Sequence, residues 1–598
     1  MVRPWGNALS WDVFGYHLYL PATFLWHDPG LKDFSKVEAV NKKYENTPTY
    51  YQGQFIEREG QPKRYLVKYT MGVAVLESPF FFAAHLLAPS LGYEQDGFSL
   101  PYNYALIVAN FFWVIIGFIF LRKALLKIFS DGITALLLAL IVLGTNYYLL
   151  VLANPGMTHC FEFSLFAMVL YFTICWHETP KVWLAVLLGL CIGLVILVRP
   201  LDAIIVLVPV FWGIGNWSDL FEKIKMVFTR RFLHLLCLVL TCLLVISPQM
   251  YYWYKITGSW LIVSYSNNPG EGFDFLSPHI TDVLFSFRKG WFIYTPLMLL
   301  AVAGLLVMWK KNRKQFWSAC AFFLLNIYVV SSWSCWWYAG SYGQRAMVES
   351  YAVMVLPLGW FFTRAADWKK PLKTGISVLT VFLVLLNIFQ EWQYYKGVIP
   401  PDGVTAAYYK RVFGKLSVQP ADRELLMVSR STGEAELFND ENKYVKHVLF
   451  EEGYERIQEN LRTHYVDSIR HSGKQSYRID TSWVFSPVLE MPYEKITGKD
   501  HAWIRSGFWF FPTAETDKTQ LAFTICFMHG DKAYKYFAAE TGDCFKNAKV
   551  REWNYCEVDY LTPEVRNTGD PVRICFWLRG QEPVYVDDLK VEAYERKE

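Results

Sequence analysis

A single carboxylate in an aromatic setting, Asp12 of Ser10-Trp11-Asp12-Val13-Phe14-Gly15-Tyr16, heads a set of residues whose types can do proton and anion chemistry. Four more positions join it: the Lys68-Tyr69 pair, His159 with Glu162 three residues on, Arg199 ahead of Pro200, and Arg345 in Ser341-Tyr342-Gly343-Gln344-Arg345. A carboxylate can take the proton of a hydroxyl as that hydroxyl attacks, and a guanidinium or ammonium can hold the anion that departs. Arginine meets phosphate oxygens with a fork of N–H donors, and lysine supplies a point charge. Each residue also has a plainer use. Asp12 reads equally as a helix cap, Arg199 as a side chain snorkelling to an interface, Arg345 as the partner of Glu349 one turn on, and Glu162 as a helix-start acid suited to the macrodipole. No zinc-type spacing of Cys and His appears, and neither a metal nor a cofactor is expected.

What must position these residues is a membrane domain. The chain of 598 residues is 53% hydrophobic and 18% aromatic, an excess of the kind membrane interfaces accumulate. Ten apolar stretches, at 103–121, 132–151, 160–176, 182–198, 200–214, 232–252, 292–309, 316–333, 347–363 and 374–392, approach the length of a bilayer span. An eleventh, 71–89, contains Glu77, Pro79 and His85 and reads as interfacial or re-entrant, because an acid and a proline are costly in a lipid-facing helix.

If the ten spans alternate, one set of loops carries sixteen Lys and Arg near the span ends and the other only Arg199, Lys255, Arg288, Lys289 and Arg345. The basic set is cytoplasmic by the positive-inside rule. Residues 1–102, the loops near 152–159, 253–291 and 334–346, and everything past 393 then lie outside, so Asp12 faces the exterior. No signal-peptide pattern precedes that exterior stretch, and a leading membrane helix ahead of Met1 is expected. The net charge of +4 is spread through loops with no basic stripe, which excludes a nucleic-acid-binding footprint.

Past 393 a polar connector runs to 430. From 431 to 598, short alternating runs such as Leu521-Ala522-Phe523-Thr524-Ile525-Cys526-Phe527 and Val572-Arg573-Ile574-Cys575-Phe576-Trp577-Leu578 alternate with Gly, Pro and Asp, the pattern of an all-β sandwich. Cys544 with Cys556, and Cys526 with Cys575, are pairs an oxidising exterior would allow. The ending Val584-Tyr585-Val586-Asp587-Asp588-Leu589-Lys590-Val591-Glu592 resembles the closing strand of jelly-roll, galactose-binding-like modules, a resemblance that implies carbohydrate binding. A sandwich that merely shields a site or contacts a partner fits as well.

Residues 10–390 resemble the GT-C superfamily of integral-membrane glycosyltransferases, in particular bacterial relatives of protein mannosyltransferases, aminoarabinose transferases and galacturonosyl transferases. The likeness is carried by Trp11-Asp12 with Tyr16 and Tyr19, by Lys68-Tyr69-Thr70-Met71-Gly72, by Asn154-Pro155-Gly156-Met157-Thr158-His159, by Arg199-Pro200 and by Tyr342-Gly343-Gln344-Arg345. It implies transfer of a sugar from a polyprenyl-phosphate donor to a hydroxyl of a glycan, lipid or protein at the outer face of a membrane, with inversion, and a bacterial inner membrane as the setting. Asp12 would be the general base. Arg345, Lys68 and Arg199 would hold the donor phosphate, and Tyr16, Tyr69, His159, Glu162 and Tyr342 would line the substrate. Two other functions stay open: a flippase for lipid-linked glycans, expected to show paired charges deep in several helices, and a noncatalytic envelope-assembly protein whose β-sandwich is the working part.

Overall fold

The computed structural model describes residues 7–46, 55–58, 63–264, 270–428, 430, 441–539, 545 and 547–597. They form two compact units, one reaching residue 426, the other made of 270–272 and the described residues from 427 onward.

The first unit is helical. Helices α1 (Asp12–His17) and α2 (Ser35–Tyr44) precede an antiparallel pair of strands, β1 (Phe55–Arg58) and β2 (Arg64–Val67). Helix α3 (Gly72–Leu87) is continuous through Pro79. Its acid, Glu77, is only 2% exposed and stands 2.8 Å from Nδ1 of His17, whose Nε2 lies 2.8 Å from the Gly97 carbonyl oxygen. An acid paired inside protein escapes the cost of meeting lipid.

Helices α4 (Leu100–Leu126), α5 (Asp131–Gly144), α6 (Thr158–Glu178), α7 (Val182–Val198), α8 (Leu207–Phe211), α9 (Trp217–Thr229) and α10 (Phe232–Thr257) follow. After them come α11 (Ile280–Phe285), α12 (Trp291–Tyr294), α13 (Met298–Lys311), α14 (Arg313–Ser331), α15 (Tyr351–Ala366) and α16 (Lys370–Tyr395). Each of the ten apolar stretches contains helix, but prolines subdivide them. The stretch 292–309 breaks between α12 and α13 at Pro296, and 200–214 opens as a 3-10 turn over Pro200–Val206 before α8.

Among the described residues, α4, α6, α10 and α16 are each long and apolar enough to cross a membrane; the 27 residues of α4 span about 40 Å at 1.5 Å per residue. Helices α10 and α16 turn most of their apolar surface outward, with Leu244 71% and Val378 63% exposed. Faces like these are stable in hydrocarbon, not water, so the unit is an integral membrane domain. Helix α9 adds an exposed stripe of Trp217, Phe221, Ile224 and Phe228 at helical spacing, the arrangement of a helix lying in a lipid interface.

Helices pack closely where side chains are absent. Gly189 of α7 lies against the backbone of Leu238 in α10, and Gly304 of α13 against the backbone of Pro357 in α15. The polar run 393–430 folds in its described part into α17 (Ala406–Val412) and α18 (Pro420–Arg423). Up to 426 it belongs to the first unit, folded back on the end of α16 by Gln393 Nε2 donating to the carbonyls of Val412 and Lys415, and closed by Tyr408 Oη donating to Val398 O.

The second unit is an antiparallel sandwich of β3 (Tyr444–Glu452), β4 (Tyr465–Val466), β5 (Ser476–Ile479), β6 (Leu489–Pro492), β7 (Trp503–Pro512), β8 (Leu521–His529), β9 (Lys532–Ala539), β10 (Asn554–Leu561), β11 (Pro571–Leu578) and β12 (Val584–Arg596). One sheet runs β10-β7-β12-β5-β4, with β3 also on β12, and the other runs β6-β11-β8-β9. Alternate residues of β11, namely Val572, Ile574, Phe576 and Leu578, point inward and meet Phe508 of β7 and Phe523 of β8. Cys526 and Cys575 are free thiols, contrary to the pairing considered above: the register sets Cys575 opposite Thr524 and Cys526 opposite Arg573. Cys556 is disulfide-bonded, and Cys544 lies outside the described residues.

Adding a branched side chain at one of these close helix crossings tests this packing. Gly189→Val is expected to destabilise the membrane unit by roughly 1–3 kcal/mol through overpacking, read as a lower thermal midpoint in detergent. Gly132→Ala, where an added Cβ meets nothing within 4 Å, is expected to leave the midpoint unchanged or raise it.

Candidate active site

Asp12 opens α1 from a strained turn. Trp11 holds φ 53° and ψ −129°, a conformation a tryptophan adopts only when its surroundings impose it, and its N–H is tied to the Asn46 carbonyl at 3.1 Å. Below α1, Gly156 (φ +90°) lets the Asn154-Pro155-Gly156 loop pass against Val13 and Leu106, where a Cβ would collide with both. The Asp12 side chain is a third exposed. Tyr69 Oη donates to its Oδ1 at 2.7 Å, and Arg345 Nη2 stands 3.8 Å from its Oδ2.

The segment carrying Lys68 and Tyr69 is clipped at three points. Tyr19 Oη donates to the Tyr69 carbonyl (2.7 Å), Thr70 Oγ1 to Val198 O (2.9 Å), and the Met71 N–H donates to Gln249 Oε1 (2.8 Å). Tyr16 packs its ring on Tyr69, centroids 4.6 Å apart. Lys68 is half-buried beside them.

A second group lies where three helices end. Pro200 forces Arg199 into extended backbone and ends α7 there. The guanidinium then reaches Glu349 Oε1 through Nη1 and Asp202 Oδ2 through Nε at 3.4 Å. The other oxygen of Glu349 is 3.0 Å from His159 Nδ1 in the first turn of α6. Glu162, one turn further on the same face, is fully buried, and neither of its carboxyl oxygens meets a hydrogen-bond donor among the described residues. Arg345 lies within electrostatic range of His159 and Tyr338, so the two groups adjoin.

The loop bearing Arg345 is latched from two sides and braced within itself. Asn146 Nδ2 donates to Tyr342 O at 3.1 Å, and Gln344 Nε2 donates to Trp336 O at 2.9 Å. The buried Lys289 ammonium, in the turn between α11 and α12, donates to Ser341 O at 2.6 Å and also to Pro401 O. Arg288 beside it grips Asp402 with two bonds of 2.8 and 2.9 Å and lies 4.0 Å over the ring of Trp337.

The structure thus gathers Asp12, Tyr69, Tyr16 and Arg345 in one place, and His159, Glu162 and Arg199 in the adjoining one. Tyr342 goes elsewhere. It is fully buried, packed on Tyr294 and Tyr394, with Oη near Gln390 Oε1 at 3.3 Å, a core position and not a lining one. Arg345 does not take Glu349 as its partner. Glu349 and Lys289 are the members that the sequence pattern did not single out for the site. The only signal for Glu349 was an acid four residues after Arg345, which reads as a local helical pair.

No family model matches the sequence, and no curated protein matches it. Among solved structures the chain is similar to ArnT from Cupriavidus metallidurans, whose crystal structure has undecaprenyl phosphate bound, at 16% identity and a TM-score of 0.34. That likeness covers 56% of this chain and 61% of the other, less than two thirds of its length. At so loose an overlap, the residues themselves must carry the functional conclusion.

Burial holds the Lys289 ammonium down to about 7 from its ordinary 10.5, against the upward pull of Asp402. Between those two values the unfolded chain holds a proton that the folded chain lacks, so this group makes stability rise with pH across that window. Thermal midpoints of the native chain are expected to climb between pH 7 and 9.5 more steeply than those of Lys289→Met.

Proposed function

We propose that the chain is a membrane glycosyltransferase that moves a sugar from a polyprenyl-phosphate donor to an acceptor hydroxyl of a glycan, lipid or protein at the outer face of the membrane. One observation carries this: a partly exposed carboxylate, Asp12, held on one oxygen by Tyr69 and faced on the other by Arg345, at the end of a bundle of apolar helices. That juxtaposition puts a proton acceptor beside an anion-binding cation where a lipid carrier presents its headgroup.

The acceptor oxygen attacks the anomeric carbon, the bond from that carbon to the phosphate oxygen breaks, and its electron pair leaves with the polyprenyl phosphate. Asp12 takes the proton of the attacking hydroxyl. Arg345, with Lys68 beside Tyr69, offsets the charge that grows on the departing phosphate. A single displacement of this kind inverts the anomeric centre. Tyr69 orients the base by occupying Oδ1, and Tyr16 supports Tyr69 ring to ring. Arg199 is engaged by Glu349 and Asp202, which suits it to positioning and leaves phosphate contact to Arg345 and Lys68.

Asp12→Asn keeps the shape and the Tyr69 contact while removing the basic oxygen. Sugar transfer in membranes expressing the variant is expected to fall roughly 10²–10⁴-fold at matched protein level, with donor binding kept. Equal transfer by both proteins would make Asp12 structural. Movement of the intact lipid-linked sugar between leaflets, with no transfer by either protein, would replace the transferase with a flippase.

A further inference from the structure

A cavity of about 690 Å³ lies in the first unit, lined by Tyr19, whose hydroxyl donates to the Tyr69 carbonyl, and is within the size range of small-molecule sites. Its apolar lining is made by Val75 and Phe82 of α3, Phe24, and Pro248 and Ile256 of α10. Its rim is cationic, with Lys32, Arg64 and Lys255 converging on it.

The rim is built, not incidental. The turn from His27 to Leu31 is pinned by two residues at positive φ, His27 at 51° and Leu31 at 48°, a conformation that persists only where the surroundings impose it. Asp28, the one acid there, spends a carboxylate oxygen on the Asp33 N–H at 3.0 Å, and the Gly30 carbonyl accepts the Tyr65 N–H at 3.0 Å. Arg64 Nη1 donates to the Lys255 carbonyl at 2.7 Å, and the Lys255 ammonium sits 5.3 Å from the centre of the exposed Tyr251 ring. Along α10 the lining passes from Pro248 to Lys255 in the last turn, the direction from acyl chain to lipid headgroup.

We propose that this groove binds an anionic phospholipid, with its phosphate between Lys32, Arg64 and Lys255 and an acyl chain against Phe24, Val75 and Phe82. Charge complementarity selects an anionic headgroup over a zwitterionic one. The site stands on the groove alone and does not depend on the transfer reaction.

The test is native mass spectrometry of the full-length protein purified with phosphatidylglycerol or with phosphatidylcholine. Phosphatidylglycerol is expected to be retained at least fivefold better, and that preference to vanish in Lys32→Gln/Arg64→Gln/Lys255→Gln. The milder Lys32→Gln/Lys255→Gln keeps the Arg64 bond to the backbone and is expected to lose most of the preference. Asp12→Asn is expected to retain phosphatidylglycerol as the native protein does, whatever its effect on transfer. Equal retention of the two lipids, an undiminished preference in the triple variant, or full displacement by millimolar inorganic phosphate would overturn the proposal, the last by making the groove a plain anion site.

Discussion

A buried carboxylate shared between a guanidinium and an imidazole holds the membrane unit's chemistry together. Glu349, 1% exposed, accepts from Arg199 on one oxygen and faces His159 on the other. One side chain thereby joins the start of α6, the end of α7 and the segment leading into α15. An unpaired charge in such surroundings is expensive, and stripping one partner from a buried pair typically costs about 3–5 kcal/mol. The three helix ends therefore cannot separate without a large loss. Arg345, four residues before Glu349, inherits its position from that constraint.

The residues around Asp12 and Arg345 are organised around the same node by shorter-range devices. Lys289 and Arg288 hold the 334–346 loop and the 398–403 segment together through Ser341, Trp337, Pro401 and Asp402. Thr70 ties the Lys68–Met71 segment to the residue preceding Arg199. Asp12 arrives last, on a strained Trp11 turn lodged over the Gly156 loop. Strain of about 1–3 kcal/mol at one residue survives only where neighbours over-determine the backbone. Here those neighbours are Asn46, Tyr69 and Arg345, and the outcome is a carboxylate presented at a fixed angle to a guanidinium.

Much of this was legible in the amino-acid order, and the failures have physical causes. Apolar runs located the helices because length and hydropathy alone decide where a chain can meet hydrocarbon. The prolines at 200 and 296 interrupt two of those runs, whereas Pro79, Pro248 and Pro357 sit inside continuous helices, so a proline alone does not mark a boundary. Alternation located the sandwich strands, but the offset of β8 against β11 depends on pairing across the sheet, so the separation of Cys526 from Cys575 could not be read. Asp12, Lys68, Tyr69, Arg199 and Arg345 stood out as polar residues among aromatic and apolar neighbours. Tyr342 shared that neighbourhood yet faces the core, because the loop's orientation is set by Asn146 and Lys289, which lie far away in the chain. Glu349 was hidden by its spacing: a helical partner four residues away is the simpler expectation until α7 and α6 bring Arg199 and His159 to it.

The most direct measurement is the anomeric configuration of the glycoside formed when the purified chain is given a polyprenyl-phosphate sugar of known configuration and an acceptor mixture. With Asp12 as the base of a single displacement, the product carries the opposite configuration, and one polyprenyl phosphate is released for each sugar transferred. A product of retained configuration would contradict that role for Asp12, and recovery of the donor intact would contradict the transferase itself.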